Sequence, residues 1–356
     1  MYIDTHVHLR DFDQVYKGET VRHGLEVAYD SGVDAVFDMP NTEPPIMTRD
    51  IVEARLKLAK DADVDVFYGI HMGLTANPEQ IKRAVQIYRF FFPQVVGMKL
   101  YAGHSTGYLG VITVDDQRTV YRTLASEGYD GVLFVHCEKE SAMNSTIWTP
   151  SHPRSHCMAR PEQAEVESVT DQIALAKETK FMGKLHIAHI SSPKAVDLVN
   201  SAKADGMDVS CGVCPHHFIF DWSQMFNTDG VKMKMNPPLR APESRDAIFD
   251  YLRSGKIDWI ETDHAPHSLD EKIGKAYDKK GNPIYASGIS GLARWSLFEE
   301  YLRRHDFTDR QIDDLAFNNA AKRFGLDIKK IRRPIKNRNG DYPFDAYACM
   351  AAEIGF

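Results

Sequence analysis

Tyr2-Ile-Asp-Thr-His6-Val-His8-Leu-Arg10 opens the chain with an apolar strand that ends in two histidines. Side chains along a strand alternate between its faces, so His6 and His8 point the same way. Two imidazoles on one face at a strand end can hold a single metal ion. Working outward, further strand-like segments rich in Val, Ile, Phe or Tyr follow at 34–39, 64–71, 95–100, 131–136, 184–189, 207–213 and 258–263. With 2–7 they number eight. Amphipathic stretches separate them at 19–31, 48–61, 77–91, 115–127, 161–179, 192–203 and 243–254. In the first of these, Val21, Leu25, Ala28 and Tyr29 share one face at helical spacing. Thr48 and Asp115 are predicted helix N-caps. This inventory predicts a (β/α)₈ TIM barrel. A doubly wound sheet needs fewer strands and usually a Gly-rich phosphate turn, and the chain has no GxGxxG.

The 356 residues are 43% hydrophobic and 26% charged, which suits a large core and argues against wholesale disorder. A net charge of -7 and the lack of a basic stripe argue against a nucleic-acid partner. No apolar run reaches the roughly 18 to 20 residues of a membrane-spanning helix. No signal-peptide pattern stands at residue 1. The five scattered cysteines point to a reducing, cytoplasmic setting. The barrel is expected over 1–326. The segment 327–356 is expected as a C-terminal extension that packs on the barrel or stays partly mobile. Four long connections, 101–114, 137–160, 214–242 and 264–290, follow strands and so belong to the face where barrel active sites are built.

Residues with metal-ligand chemistry stand where the strands end. Lys99 lies in Val-Val-Gly-Met-Lys-Leu-Tyr (95–101) and His136 in Leu-Phe-Val-His (133–136). His189 lies in Leu-His-Ile-Ala-His (185–189) and Asp263 in Trp-Ile-Glu-Thr-Asp (259–263). An ammonium cannot ligate a cation, and burying one beside two metals is costly. Carboxylated by CO₂, Lys99 becomes an anionic carbamate able to bridge two metals. Two such ions can share a hydroxide, and Asp263 is the natural group to orient it and take its proton. Any one of these histidines alone reads more simply as a structural residue, and Lys99 alone as a surface lysine. Together they make a two-metal site.

Other candidates take plainer readings. His186 is expected on the face opposite His189, as a structural residue. His71 reads as core or rim, and His152 and His156 as rim. Cys211-Gly-Val-Cys214 resembles a CxxC motif, but without a second pair the cysteines read as buried packing residues. His216 and His217 are left outside the ligand set.

Several motifs resemble the dihydroorotase family of the amidohydrolase superfamily. They are His-Val-His-Leu-Arg (6–10), Asp-Met-Pro-Asn-Thr (38–42), Gly-Met-Lys-Leu-Tyr (97–101), His136-Cys-Glu and His189-Ile-Ser. Cys-Pro-His-His (214–217), Lys-Met-Asn-Pro-Pro-Leu-Arg (234–240), Thr-Asp-His-Ala-Pro-His (262–267) and Asn-Asn-Ala-Ala-Lys-Arg-Phe-Gly (318–325) complete the set. The resemblance implies reversible opening of dihydroorotate to N-carbamoyl-aspartate in pyrimidine synthesis. It implies two zinc ions: one held by His6, His8 and Asp263, the other by His136 and His189, with carboxylated Lys99 and a hydroxide bridging them. Arg10, Asn41 and His267 match the positions that bind the substrate carboxylate, and Asn236 is a further substrate contact by position. Arg240 reads as a loop salt-bridge residue. The loop 101–112 is expected to be a lid or a fixed rim, with Ser105 or Thr106 as donors.

Two departures accompany the resemblance. Ser287-Gly-Ile-Ser-Gly-Leu-Ala-Arg294 replaces a Gly-x-Pro-Gly-Leu-Glu pattern, at backbone expected to contact the ring. The barrel is expected without an N-terminal β-sandwich. The rival readings are a dihydropyrimidinase or allantoinase type of cyclic amidohydrolase, and a catalytically silent barrel that serves as an assembly partner. Arg10 and Asn41 favour a ring that bears a carboxylate. A homodimer is compatible with the sequence.

Overall fold

Apolar runs without polar alternation form strands covered on both faces, the pattern of a parallel sheet inside a helical shell. In the computed structural model, which describes residues 1–11, 19–105, 107–330, 333–336, 338–353 and 355, eight such strands pair in sequence order. They are β1 (Tyr2–Val7), β2 (Val33–Asp38), β3 (Phe67–Gly73), β4 (Val95–Ala102), β5 (Val132–Cys137), β6 (Lys184–Ile187), β7 (Val209–Val213) and β8 (Trp259–Ile260). Every pairing is parallel. Closure comes just beyond β8, where His264 bridges Val7 and His8 N–H donates to the His264 carbonyl at 2.8 Å. The result is the expected (β/α)₈ TIM barrel.

The shell helices are α1 (Val21–Asp30), α2 (Arg49–Ala62), α3 (Pro78–Phe91), α4 (Val114–Ser126), α5 (Glu162–Thr179), α6 (Pro193–Ala204), α7 (Pro242–Arg253) and α8 (Trp295–Arg304). Thr48 is the N-cap residue of α2, as expected, although its side chain makes no capping bond. The N-cap of α4 is Thr113, whose hydroxyl accepts from Asp116 N–H; Asp115, expected there, lies in the first turn. A hydroxyl two residues earlier satisfies the orphan amide, and Asp115 adds charge at the positive end of the helix. At the other end of the barrel, the helix Asn319–Phe324 inserts Phe324, whose ring lies 4.8 Å from Phe37 and 5.8 Å from His71.

Inside the barrel, β1 carries an extra residue. Asp4 pairs with Val36 and Val7 with Asp38, so three steps on β1 match two on β2. Asp4 turns outward to Trp295 and Val7 joins the outer core, so Thr5 and His6 both face the interior. His8 resumes the inward direction beyond Val7.

β6 and β8 are shorter than the expected 184–189 and 258–263, which puts His189 and Asp263 beyond their ends. His189 adopts φ 36° and Asp263 φ 48°. The left-handed turn at His189 resets the alternation, so His186 also faces the interior, contrary to expectation. There its ring stacks on Trp259 at 4.0 Å and its Nδ1 meets Ser210 Oγ at 2.9 Å. His71 is likewise buried in the barrel. In the tail, Tyr342, Tyr347, Met350 and Ala351 are buried in the main core, and Asp345 pairs with Arg294.

Candidate active site

The strand ends bring two groups of donors together at the barrel mouth. In the first, Asp263 Oδ1 lies 3.2 Å from His6 Nε2 and 3.0 Å from His8 Nε2. The donor atoms of these three residues all fall within 4.8 Å of one another. His8 Nδ1–H donates to Asn41 Oδ1 at 2.8 Å, which aims Nε2 at the aspartate. In the second, His136 Nδ1 and His189 Nε2 face each other at 3.0 Å. The other nitrogen of His136 is 3.1 Å from Glu138 Oε2, and Arg160 holds that carboxylate with Nε contacts of 3.0 and 3.1 Å. A ligand histidine typically hands its second ring nitrogen to a carboxylate or carbonyl in this way. The His6 and His189 rings, 5.2 Å apart, join the two groups.

Burial lowers the pKa of all four imidazoles, and the neighbouring Lys99 charge adds to the effect. They are therefore neutral near pH 7, the form that ligates metal. Lys99 points into the same space from within β4. Its Nζ is fully buried, has no hydrogen-bond partner among the described residues, and sits 4.7 Å from the Phe134 ring and 5.0 Å from Tyr101. Burial lowers its pKa to about 8. A partly neutral buried amine is the form that adds CO₂. An orphaned amine among four neutral imidazoles and a carboxylate fits a carbamate-bridged metal pair.

A small cavity lies over these groups. Arg10, Asn41 and Asn236 line it, as do Tyr101, Ser105 and the 287–288 backbone. The carboxylate of Asp38 sets the first two. It accepts from Leu9 N–H at 2.9 Å and Tyr68 O–H at 2.6 Å, and pairs with Arg55, tying the end of β1 to the end of β2. Asn236 Oδ1 meets His156 Nε2 at 3.0 Å. His156 is thus a buried support rather than the rim residue expected, because the 137–160 connection folds inward over Met235. His267 does not line the cavity; its Nε2 donates to the Ser287 carbonyl at 3.1 Å, behind that wall. Thr106 lies outside the described residues.

Arg240 makes the salt bridge expected of it, to Glu165 at 3.1 Å, and donates to Ser191 Oγ at 2.9 Å. Cys211 and Cys214 are buried free thiols, and Cys214, His216 and His217 bring donor atoms within 4.8 Å of one another. Sequence reasoning missed Glu261. Its buried carboxylate accepts from His189 N–H at 2.6 Å, Thr5 O–H at 2.9 Å and Trp259 Nε1–H at 3.1 Å, forming the floor of the site. Gly212 makes room for it, since a Cβ there would come within 2.7 Å of that carboxylate. The signal was available in Trp-Ile-Glu-Thr-Asp: an acidic residue in an apolar strand, two before Asp263.

A parallel barrel with these groups at the carboxyl ends of its strands defines an amidohydrolase-type enzyme. Among solved structures, the L-hydantoinase (dihydropyrimidinase) of Arthrobacter aurescens superposes with a TM-score of 0.78 at 21% identity, over 95% of this chain and 74% of that one. A D-hydantoinase (dihydropyrimidinase) of a Thermus species gives 0.73 at 22% identity, over 91% and 70%. In sequence, a dihydroorotase of Lactobacillus acidophilus is 30% identical over 344 residues, covering 94% of this chain and 75% of its own length. That of Halobacterium salinarum is 31% identical over 328 residues, covering 92% and 72%. No protein-family model matches. The chain belongs to the dihydroorotase family and is a hydrolase acting on cyclic amides.

Proposed function

We propose that the protein is a zinc-dependent dihydroorotase that interconverts dihydroorotate and N-carbamoyl-aspartate, the ring-forming step of pyrimidine synthesis. The observation that carries this reading is Arg10. It lines the cavity beside Asn41, a few residues beyond the histidine pair, and suits a ring that bears a carboxylate. A neutral hydantoin or uracil-type ring offers that guanidinium no carboxylate to pair with. Asn41 accepts from His8 through its oxygen and lines the cavity beside Arg10. His267 and Asn236 are assigned to the same carboxylate and ring, the former through the Ser287 wall.

His6, His8 and Asp263 would hold one ion, His136 and His189 a second, and carboxylated Lys99 would bridge the two. Bound there, a pair of zinc ions supplies Lewis-acid polarisation of the ring amide and makes water acidic enough to attack at neutral pH. Asp263 accepts the proton of the attacking water and delivers it to the departing ring nitrogen. Arg10 and Asn41 hold the carboxylate, so that the amide carbon presents one face to the metal groups. Ring closure runs the same transfers in reverse. Turnover of dihydroorotate with none of dihydrouracil supports the reading; equal turnover of both overturns it. No helix among the described residues is long and apolar enough to cross a membrane. A cytoplasmic setting and a homodimer remain part of the proposal.

A further inference from the structure

The active-site wall at 285–288 is held from behind by a buried lysine. Lys272 ends the short helix Leu269–Lys272 and is 1% exposed. Its ammonium donates to three backbone carbonyls: Lys234 at 3.0 Å, Ala286 at 3.0 Å and Gly288 at 2.7 Å. Three N–H donors meet three acceptors, so the group is saturated. Among the described residues no carboxylate lies within ion-pair distance of it. Burial without a counter-ion and the nearby Lys234 charge pull its pKa well below the ordinary lysine range, so the three backbone carbonyls are what its protons are held by.

Lys234 reinforces the same segment. Its Nζ donates to the Tyr285 carbonyl at 2.9 Å and to Ser287 Oγ at 2.7 Å, and its own carbonyl also accepts Gly288 N–H at 2.9 Å. In a planar trans peptide the N–H points opposite to the C=O. With the Ala286 carbonyl drawn back onto Lys272, the Ser287 N–H is turned the other way. It has no acceptor among the described residues, and Ser287 and Gly288 line the cavity with Arg10 and Ala265. The approach is close: a Cβ on Gly288, at φ 133°, would sit 2.6 Å from the Ala265 carbonyl oxygen.

We propose that Lys272 is a positioning residue for substrate recognition, fixing the 285–288 backbone so that the Ser287 N–H faces the bound ring as a donor. The inference rests on the dihydroorotase reading for the identity of the ring, but not for the ordering of the wall.

The test uses metal-loaded full-length protein with Lys272→Met and Lys272→Gln. Both should raise KM for dihydroorotate and Kd for orotate by about tenfold or more, the ~1.4 kcal/mol of one lost hydrogen bond, with metal content and kcat little changed. Backbone hydrogen exchange at 285–289, measured without ligand, should speed up in both, less in Lys272→Gln, which keeps two donors. A folded, metal-loaded variant with unchanged exchange and unchanged KM overturns the proposal. If neither variant folds, Lys234→Met removes the bonds to Tyr285 and Ser287 and should speed the same exchange; unchanged exchange there also overturns it. Wild-type protein inactive on dihydroorotate would reject the substrate reading, while the exchange measurement still decides the role of Lys272.

Discussion

His189 and Asp263 share a backbone conformation: both lie just past a strand end, in the left-handed region, at φ 36° and 48°. The other non-glycine residues with positive φ among those described are Asp63, Lys180 and Asp306. The first two cap helices, and Asp306 lies in the turn after α8. A non-glycine residue in this region costs on the order of 1 kcal/mol or more, and persists where the surroundings impose it. Here the conformation aims one imidazole and one carboxylate into the barrel mouth, opposite His136 and His6.

Asp263→Asn keeps the side-chain shape and removes the proton acceptor. The expected loss in kcat for dihydroorotate is about 10²- to 10⁴-fold, the usual scale for a general acid–base group. Steady-state kinetics alongside a thermal melt check this. Unchanged kcat in a metal-loaded variant would assign proton transfer elsewhere.

Lys99 should take up CO₂ more readily as pH rises. Its folded pKa of about 8, against an ordinary 10.5, places the rise in the neutral amine around pH 8. Metal-free protein given zinc and labelled CO₂, with dissolved CO₂ held at the same concentration at every pH, should form the carbamate increasingly fast through that range, read by carbon NMR. Lys99→Arg should form none and lose its activity. A rate that stays flat from pH 7 to about 9 contradicts the assignment.

Acid should destabilise the metal-free protein. Burial holds His6, His71, His189, His216 and His267 well below the ordinary 6.5. The unfolded chain therefore gains protons as pH falls through 6.5 while the folded chain does not. Stability is fully present above that pH and is lost below it, by up to about 1.4 kcal/mol per histidine per pH unit. Urea unfolding at a series of pH values measures the slope, and no loss below pH 6.5 would show these rings protonated in the native state.

Arg10→Ala should raise KM for dihydroorotate by about 10- to 100-fold, the scale of a charge-assisted hydrogen bond, with metal content unchanged. Any slow turnover of dihydrouracil should be untouched. Equal losses on both rings would make Arg10 a structural residue.

The barrel and its mouth were legible because the strands are apolar runs and each ligand candidate lies in or just past one, toward its carboxyl end. Strand alternation placed His6 and His8 correctly despite the bulge, since the extra residue falls before them. It misplaced His186, because a left-handed turn at His189 leaves no mark in the side-chain pattern. Glu261, Glu138 and Lys272 escaped notice for a different reason. Their roles lie in contacts to backbone and to side chains distant in sequence, such as His189 N–H, Arg160 and the Ala286 carbonyl, and no local spacing encodes these.

The most direct test of the central claim is a paired measurement on one purified sample: metal content by elemental analysis, with hydrolysis of dihydroorotate and closure of N-carbamoyl-aspartate assayed in both directions. The account predicts zinc, activity in both directions, loss of both on chelation and recovery of both when zinc and bicarbonate are returned. Protein that carries its zinc and processes neither compound would contradict it.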